Sequence, residues 1–308
     1  MNMDSNYTIV TAGTAYLDID AYACAVAMAE LLCLQGRKAI AYSKASCNYS
    51  ICTSLRTCEH LNTAIPGDFV PEKAKYIIVD VSDPDFLDGI LPEQVVAVYD
   101  HHVGFEAYWA DRIGEGAHIE FIGAAATLVY REWKNADLVD RMSSNTARLL
   151  IAAILDNTLN LTSSVTTQED RETFTRLCER ENIGEDWCAG YFLEVQKSVE
   201  ADLENALLWD VKKIRPNDIL PAQVGQMAVW DVDSLFDRLT LIRECFNSRF
   251  DSWMLNIIDI RYGHSYFVCD NKEKQKKIEQ VFGVNFFRGV AIASKSYLRK
   301  ELIKKTME

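Results

Sequence analysis

Short apolar runs alternate with longer segments of helical periodicity through the first half of this chain. Residues 75–80 and 94–100 form runs of mainly apolar and β-branched residues, and each run ends in aspartate. Such runs are typical of strands buried on both faces of a sheet. Residues 7–11 and 37–42 are predicted to form two further strands. Strands that alternate with helices indicate a parallel sheet with crossover helices.

The helical segments also suggest where the chain divides. Helices are predicted over residues 20–35, 123–134 and 143–155. Gly36 is expected to end the first helix, and Ser143 can cap the third. After Glu169 the pattern becomes helical and charged through about residue 208. We therefore expect a domain boundary near residue 190, which gives domains of residues 1–190 and 191–308.

The second half predicts a smaller α/β domain. Strands are expected at residues 210–214, 222–229, 253–259 and 265–269, with a helix near 234–249. Basic runs at 272–277 and 295–305 are expected to be mostly solvated helix faces. The predicted fold class is α/β, with a doubly wound parallel sheet in the N-terminal domain and a smaller mixed sheet in the C-terminal domain.

Length and composition narrow the class of protein. The 308 residues suffice for two domains with a cleft between them. A formal net charge of −13 argues against tight binding to a nucleic-acid polymer, which needs clustered basic residues. Nine cysteines without a Cys-x-x-Cys pair fit reduced thiols, and no apolar segment is long enough for a membrane span. We therefore expect a cytoplasmic protein.

Acids and histidines follow the predicted strands. In a doubly wound sheet the carboxyl ends of the strands border the ligand-binding crevice. Carboxylates that converge there repel one another, and bound divalent cations would relieve this repulsion. Mixed carboxylate and imidazole ligands suit Mn²⁺, Co²⁺, Zn²⁺ or Mg²⁺. The residues are Asp18 and Asp20 after the first strand, Asp80, the run Asp100-His101-His102, and Asp156 if its segment joins the others.

Simpler explanations exist for the single residues. An aspartate at a strand end is commonly a turn former or a helix cap, and Asp18 and Asp20 would suit the positive end of a helix dipole. The adjacent His101 and His102 are harder to explain in this way, because the chain has only five histidines.

These motifs resemble those of a known superfamily. Asp18-x-Asp20, the strand end at Asp80, Asp100-His101-His102 and the segment from Asp156 resemble the four motifs of the DHH phosphoesterases. The segment Asp156-Asn-Thr-Leu-Asn is similar to the fourth motif of the manganese-dependent, family II inorganic pyrophosphatases. Asp210-Val-Lys212 and the Arg299-Lys300 pair resemble parts of that family's C-terminal domain. The resemblance covers nearly the whole chain.

The resemblance implies a dinuclear Mn²⁺ site, with Co²⁺ or Mg²⁺ as other candidate ions. Asp80 would bridge two ions, Asp18 would hold one of them, and Asp20, His101 and Asp156 would complete the shell of the other. His102 would contact substrate or the leaving group, and Asp100 would orient a ligand histidine. Lys212, Arg299 and Lys300 would bind phosphate oxygens, and we favour this role over the alternative of exposed basic residues at a helix end.

One position departs from the pyrophosphatase pattern. That family has a histidine four residues before the first aspartate of motif one, where this chain has Thr14, and the following Asn-Pro is absent. The exopolyphosphatase and prune branch also lacks this histidine. Because threonine is a poor ligand for transition metals, the second ion is expected to bind more weakly.

The expected activity is hydrolysis of pyrophosphate or short polyphosphate, and the expected partner is this small phosphate substrate. One alternative is a phosphodiesterase acting on small oligonucleotides or cyclic dinucleotides, against which the thin match at Tyr262-Gly-His264 and the acidic charge argue. Another is a non-enzymatic metal-binding regulator that has lost turnover at Thr14. The sequence leaves open whether the chain forms a homodimer.

Overall fold

The computed structural model describes residues 7–14, 17–56, 61–62, 73–215 and 218–307. The chain divides into two compact units, Met1–Cys188 and Ala189–Glu308. We call them the first and second units and describe each by itself.

A six-stranded sheet forms the centre of the first unit, and every neighbouring pair of its strands is parallel. The strands are β1 (Thr8–Thr11), β2 (Ala39–Tyr42), β3 (Leu61–Asn62), β4 (Lys75–Val79), β5 (Val95–Asp100) and β6 (Ala117–Ile119). Their order is β3-β2-β1-β4-β5-β6. The chain therefore builds outward in opposite directions from β1 and β4, and this reversal is the switch point at which doubly wound sheets bind ligands.

Helices cover both faces of this sheet. The helices of this unit are α1 (Ile19–Leu34), α2 (Glu106–Ile113), α3 (Ala125–Asn135), α4 (Ser144–Asn157) and α5 (Gln168–Glu181), followed by α6 (Glu185–Ala201), which crosses the boundary between the units. Of these, α4 and α5 pack mainly on other helices. Ile9, Ile78 and Val98 pack with Trp109 of α2 in one apolar cluster. Alternate strand residues point to the opposite face, where α1 contacts β1, β2 and β4.

The first helix shows how local sequence sets the site. Asp18 caps α1 by accepting a hydrogen bond from the amide of Ala21 at 2.9 Å, which satisfies one of the free donors of the first turn. Gly36 follows the helix with φ of +81°, as predicted. The cap fixes the direction in which the chain leaves the loop after β1.

The second unit contains a mixed five-stranded sheet. Its elements are α7 (Leu203–Trp209), β7 (Val211–Lys213), β8 (Gln223–Val229), α8 (Asp233–Phe236), α9 (Leu239–Asn247), β9 (Trp253–Asp259), β10 (His264–Val268), α10 (Lys272–Phe282), β11 (Val290–Ala293) and α11 (Arg299–Lys305). The strand order is β11-β10-β9-β8-β7. Strands β8 and β9 are parallel, and the other three pairings are antiparallel.

The predicted fold class is confirmed, with differences in detail. The helix expected near residues 234–249 is two helices, α8 and α9, separated at Asp237 and Arg238. The guanidinium of Arg238 donates to the carbonyl of Glu200 at 2.9 Å at this break. Strands β3, β6 and β11 were not predicted; β3 and β6 have only two and three residues, too few for an alternating pattern.

In the part of the chain that the structure describes, no helix combines the length and the apolar character that crossing a membrane requires.

Candidate functional site

Three neighbouring strands bring the predicted residues of the first unit to one edge of the sheet. Asp18 lies between β1 and α1, Asp80 directly follows β4, and Asp100 is the last residue of β5. Since β1, β4 and β5 are adjacent and parallel, their carboxyl ends lie side by side at the switch point. The acids from three separate segments therefore converge.

Asp80, His101 and His102 form the centre of this convergence. One potential ligand atom from each lies within 4.8 Å of the others. The Nε2 atom of His101 is 3.4 Å from Oδ1 of Asp80, and the two side chains are only 9% and 6% exposed. Among the described residues, no group hydrogen-bonds to this buried Oδ1. A buried carboxylate oxygen without a donor fits a cation ligand, because leaving it unpaired is costly.

The backbone of Asp80 is held in an unusual conformation. Its φ is +55°, in the left-handed region that residues other than glycine adopt infrequently. The amide of Asp80 donates to the carbonyl of Tyr99 in β5 at 2.8 Å, and this bond anchors the turn. Strained residues of this kind cluster at functional sites, and here the strain aims the carboxylate at the histidines.

The neighbouring acids disfavour one another's charge. Burial, followed by the charge of Asp18, raises the pKa of Asp80 well above its usual value. Burial, followed by the charge of Asp80, raises the pKa of Asp20 in the same direction. Positive charge supplied to this pocket would therefore be strongly stabilising.

The ring of His101 is oriented by the backbone. Its Nδ1 atom lies 3.2 Å from the carbonyl oxygen of Ile122. A carbonyl can only accept, so Nδ1 carries a proton, and Nε2 is the ring nitrogen that faces Asp80. Metal-binding histidines are commonly held in this way, with one ring nitrogen donating to a carbonyl and the other facing the ion.

Asp20 is completely buried and already heavily hydrogen-bonded. Its two oxygens accept from the amides of Ala125 and Ala126, each at 2.8 Å, and Oδ1 also accepts from the thiol of Cys24 at 3.4 Å. The carboxylate therefore caps the first turn of α3. Asp20 lies outside the group of three, but its pKa responds to the charges of Asp80 and His101.

Asp100 hydrogen-bonds to the ring of His102 and not to the ring of His101. Its Oδ1 atom lies 2.8 Å from Nδ1 of His102 and also accepts from the amides of His101 and His102. These hydrogen bonds outweigh burial and lower the pKa of Asp100. Partial burial of the ring would lower the pKa of His102, but the hydrogen bond to Asp100 and the charge of Asp80 raise it. The side chain of His102 is 65% exposed, so its second nitrogen is accessible.

Asp156 lies in the last turn of α4 and is partly buried, outside the group of three. The three residues Leu159–Leu161 that follow all have positive φ, at +51°, +56° and +62°. Thr158 stabilises this left-handed turn, since its hydroxyl accepts from the amide of Leu161 at 3.0 Å. Successive left-handed residues are strained, and nothing in the sequence pattern predicted them.

The basic residues predicted in the second unit have different environments. Lys212 on β7 and Lys300 on α11 are exposed. Arg299 is buried, and its guanidinium donates to both the backbone carbonyl and the carboxylate of Asp210, at 2.7 and 2.6 Å. Arg299 therefore ties the start of α11 to the residue preceding β7.

Thr14 is exposed and bonded to the backbone of a neighbouring loop. Its amide and its hydroxyl both donate to the carbonyl of Phe86, at 2.8 and 3.1 Å. Gly13 permits this approach, because its φ is +73° and a Cβ atom there would lie 2.3 Å from the same carbonyl oxygen. The hydroxyl of Thr14 is thus already engaged.

The structure adds residues that sequence reasoning missed. Asp170 is completely buried and accepts from the amide of Gly123, the residue after the carbonyl that holds His101. The available signal was Thr167-x-x-Asp170, which forms a capping box at the start of α5. That motif predicts a helix start but not a contact with the site.

No family model matches the chain. It is 26% identical over 227 residues to an Enterococcus faecalis protein named as a probable manganese-dependent inorganic pyrophosphatase, with 70% of each chain covered. It is 23% identical over 311 residues to a Deinococcus radiodurans protein of the same name, with 94% and 95% covered. The resemblance predicted from the motifs is confirmed by these relatives.

Solved structures show the same fold. A Methanococcus jannaschii protein assigned provisionally to the family II inorganic pyrophosphatases superposes with a TM-score of 0.63 at 20% identity, covering 97% of this chain and 98% of that one. An exopolyphosphatase-related protein from Bacteroides fragilis gives a TM-score of 0.53 at 13% identity, with 97% and 90% covered. At these identities the likeness establishes the architecture alone.

Proposed function

We propose that this chain is a divalent-metal-dependent hydrolase of phosphoanhydrides that acts on pyrophosphate or short polyphosphate. The observation that carries the proposal is the buried Oδ1 of Asp80, which faces Nε2 of His101 at 3.4 Å and has no donor among the described residues. The names of the sequence relatives support the activity, and their manganese dependence supports Mn²⁺. Co²⁺ and Mg²⁺ remain candidates by ligand type.

In this proposal Asp80 would contribute to holding two ions. Asp18 would help to hold one of them, and Asp20, His101 and Asp156 would help to hold the other. The carboxylate and imidazole groups of Asp80 and His101 and the burial of both side chains support this assignment. Divalent cations, when bound, would attract phosphate oxygens and make a water molecule more acidic.

His102 is the proposed proton donor to the departing phosphate. Asp100 accepts from its Nδ1, which leaves Nε2 to deliver or receive a proton. The raised pKa of His102 keeps its ring protonated to higher pH than that of a free histidine, which suits a general acid. Asp100 thereby orients the ring and maintains its charge.

Lys212 and Lys300 are proposed to bind phosphate oxygens, because both ammonium groups belong to exposed residues and would offset charge on the transferred group. The guanidinium of Arg299 is committed largely to Asp210. Its proposed contribution is therefore to fix Asp210 and the adjoining strand that carries Lys212.

A substrate panel tests the proposal. Phosphate release would be measured for pyrophosphate, tripolyphosphate, long polyphosphate and a dinucleotide, each with Mn²⁺, Co²⁺ and Mg²⁺. The proposal expects the greatest kcat/KM for pyrophosphate or tripolyphosphate with a transition metal. Faster cleavage of the dinucleotide would replace the proposal with a phosphodiesterase activity.

One observation favours a second candidate, a metal-binding regulator without turnover. The hydroxyl of Thr14 donates to Phe86, so this position supplies no strong metal donor in place of the family's histidine. Mn²⁺ binding without steady-state release of phosphate from any member of the panel would favour the regulator.

A further inference from the structure

A single peptide group connects His101 to a buried carboxylate. The carbonyl of Ile122 accepts from Nδ1 of His101 at 3.2 Å. The amide of Gly123 belongs to the same peptide group and donates to Oδ2 of Asp170 at 2.9 Å. The chain of hydrogen bonds therefore runs from imidazole through one peptide to the carboxylate.

The carboxylate of Asp170 is firmly held at this place. The residue has no exposed surface. Its Oδ1 accepts from the hydroxyl of Thr127 at 2.6 Å, and Oδ2 accepts from the amide and hydroxyl of Thr167 at 2.7 and 2.8 Å. At Gly123 a Cβ atom would lie 2.5 Å from Oδ2 of Asp170 and 2.7 Å from Cγ2 of Thr158. Only glycine allows so close an approach.

We propose that Asp170 is a positioning residue for His101 and acts through the Ile122–Gly123 peptide. A carboxylate that accepts from the amide end of a peptide polarises it and makes its carbonyl a stronger acceptor, since linked hydrogen bonds reinforce one another. The stronger carbonyl keeps the proton on Nδ1 and increases the electron density at Nε2. Carboxylates that contact metal-binding histidines directly have this effect; here one peptide lies between them.

Helix capping alone does not account for these contacts. Asp170 closes the capping box of α5 through Thr167, and a capping box needs no contact outside its own helix. The bonds to Gly123 and Thr127 reach the loop before α3 and α3 itself. They hold the segment from Ile122 to Thr127 at Gly123 and Thr127, while Asp20 holds it at Ala125 and Ala126.

The inference rests on the proposed metal site, and Asp170→Asn tests it. The amide can keep its oxygen toward Gly123 and Thr167 and turn its NH₂ toward the hydroxyl of Thr127, which accepts as well as donates. The variant therefore removes the negative charge and preserves the shape. Glu169→Gln is the matched control, because it removes one charge from the adjacent residue, whose partner is Arg131.

Two quantities are measured for wild type and both variants. The first is the Kd for Mn²⁺ by calorimetry; the second is the tautomer of His101 in chelator-treated protein by long-range ¹⁵N NMR, assigned with His101→Gln. Asp170→Asn is expected to weaken Mn²⁺ binding by about 10- to 100-fold and to reduce the Nδ1–H population of His101. Glu169→Gln is expected to leave both unchanged.

The outcomes separate this inference from the proposed function. Equal Mn²⁺ affinity and an equal His101 tautomer in Asp170→Asn and Glu169→Gln would overturn the inference, whatever the catalytic activity. Absence of Mn²⁺ binding in wild type would refute the metal site itself, while the tautomer would still report on the peptide connection. If Asp170→Asn does not fold, Asp170→Ser replaces it: this smaller variant removes the same carboxylate from the Gly123 amide, and wild-type values in it would also overturn the inference.

Discussion

The Nδ1 atom of His102 lies 2.8 Å from Oδ1 of Asp100, a carboxylate without exposed surface. This contact opposes the effect of burial and raises the pKa of His102, so the ring keeps its proton to higher pH than a free histidine does. Removing the negative charge lowers that pKa. We predict that Asp100→Asn moves the alkaline limb of the kcat profile to lower pH, as measured by phosphate release from pH 5 to 10.

His102→Gln provides the companion measurement. Loss of a general acid should reduce kcat by about 10²- to 10⁴-fold and remove the alkaline limb that Asp100→Asn displaces. An unchanged limb in both variants would assign proton donation to another group.

Asp80 should destabilise the metal-free protein. The pKa of Asp80 is raised in the folded protein, by burial first and then by the charge of Asp18. The contribution of Asp80 to the free energy of unfolding is therefore fully present below the pKa that this group has in the unfolded chain. It is lost as the pH rises through the pKa of the folded state. In chelator near neutral pH, Asp80→Asn should be more stable than wild type by about 0.5–2 kcal/mol. Asparagine also tolerates the φ of +55° found here. Urea unfolding at pH 5 and pH 8 measures the difference, which should grow with pH.

Adding Mn²⁺ should make wild type more stable than Asp80→Asn. At a Mn²⁺ concentration a hundred times the Kd, the free energy of unfolding of wild type should rise by about 2.7 kcal/mol. That of Asp80→Asn should rise little. Equal metal-induced shifts in the two proteins would exclude Asp80 as a ligand.

Lys212 and its neighbour provide a matched pair of substitutions. Both Lys212 and Lys213 are exposed on β7, and successive strand residues point to opposite faces. Lys212→Ala should lower kcat/KM for pyrophosphate by about tenfold or more through lost transition-state contacts, whereas Lys213→Ala should have little effect. Equal losses of kcat/KM in the two variants would mean that the positive charge of the strand matters and not a specific contact from Lys212.

Pyrophosphate kinetics and urea unfolding together distinguish the two residues at the start of α11. Lys300→Ala should affect kinetics without affecting folding. Arg299→Ala should also cost about 1.5–3 kcal/mol of stability, because hydrogen bonds from a charged group to Asp210 are lost.

The sequence predicted the strands that carry the site, but it missed three of the four strands at the sheet edges. Strands β4 and β5 are long apolar runs, and their final or following aspartates were expected at the crevice. Strands β3, β6 and β11 depend on pairing with a neighbour that is already in place, so tertiary contacts and not local composition decide them. The break between α8 and α9 likewise coincides with a distant contact, from Arg238 to Glu200.

Part of the candidate site was visible in sequence for the same reason. Asp80, His101 and His102 follow adjacent buried strands, and their ligand atoms do approach one another; their role as metal ligands stays a prediction. The support from Ile122, Gly123 and Asp170 was not visible, because it uses backbone groups that every residue possesses. The engagement of Arg299 by Asp210 was missed for a similar reason: a basic residue near the C-terminus has the same sequence pattern whether it is exposed or buried.

Thr14 offers a gain-of-function test. The amide of Thr14 donates to Phe86 and should fix the backbone whatever the side chain, so Thr14→His would replace a hydroxyl with the nitrogen donor that transition metals prefer. We predict a lower Mn²⁺ concentration for half-maximal pyrophosphate hydrolysis. Thr14→Val is the control for loss of the hydroxyl bond. Equal Mn²⁺ dependence in Thr14→His and Thr14→Val would mean that this position does not face an ion.

The most direct test of the central claim is steady-state phosphate release from pyrophosphate by the wild-type protein and Asp80→Asn, with Mn²⁺ varied from chelator-treated to saturating. The account predicts that wild type releases two phosphates per pyrophosphate only when Mn²⁺ is present, and that Asp80→Asn, although folded, loses this activity by about 10²-fold or more. Release that persists in chelator, or that is equal in Asp80→Asn and wild type, would contradict it.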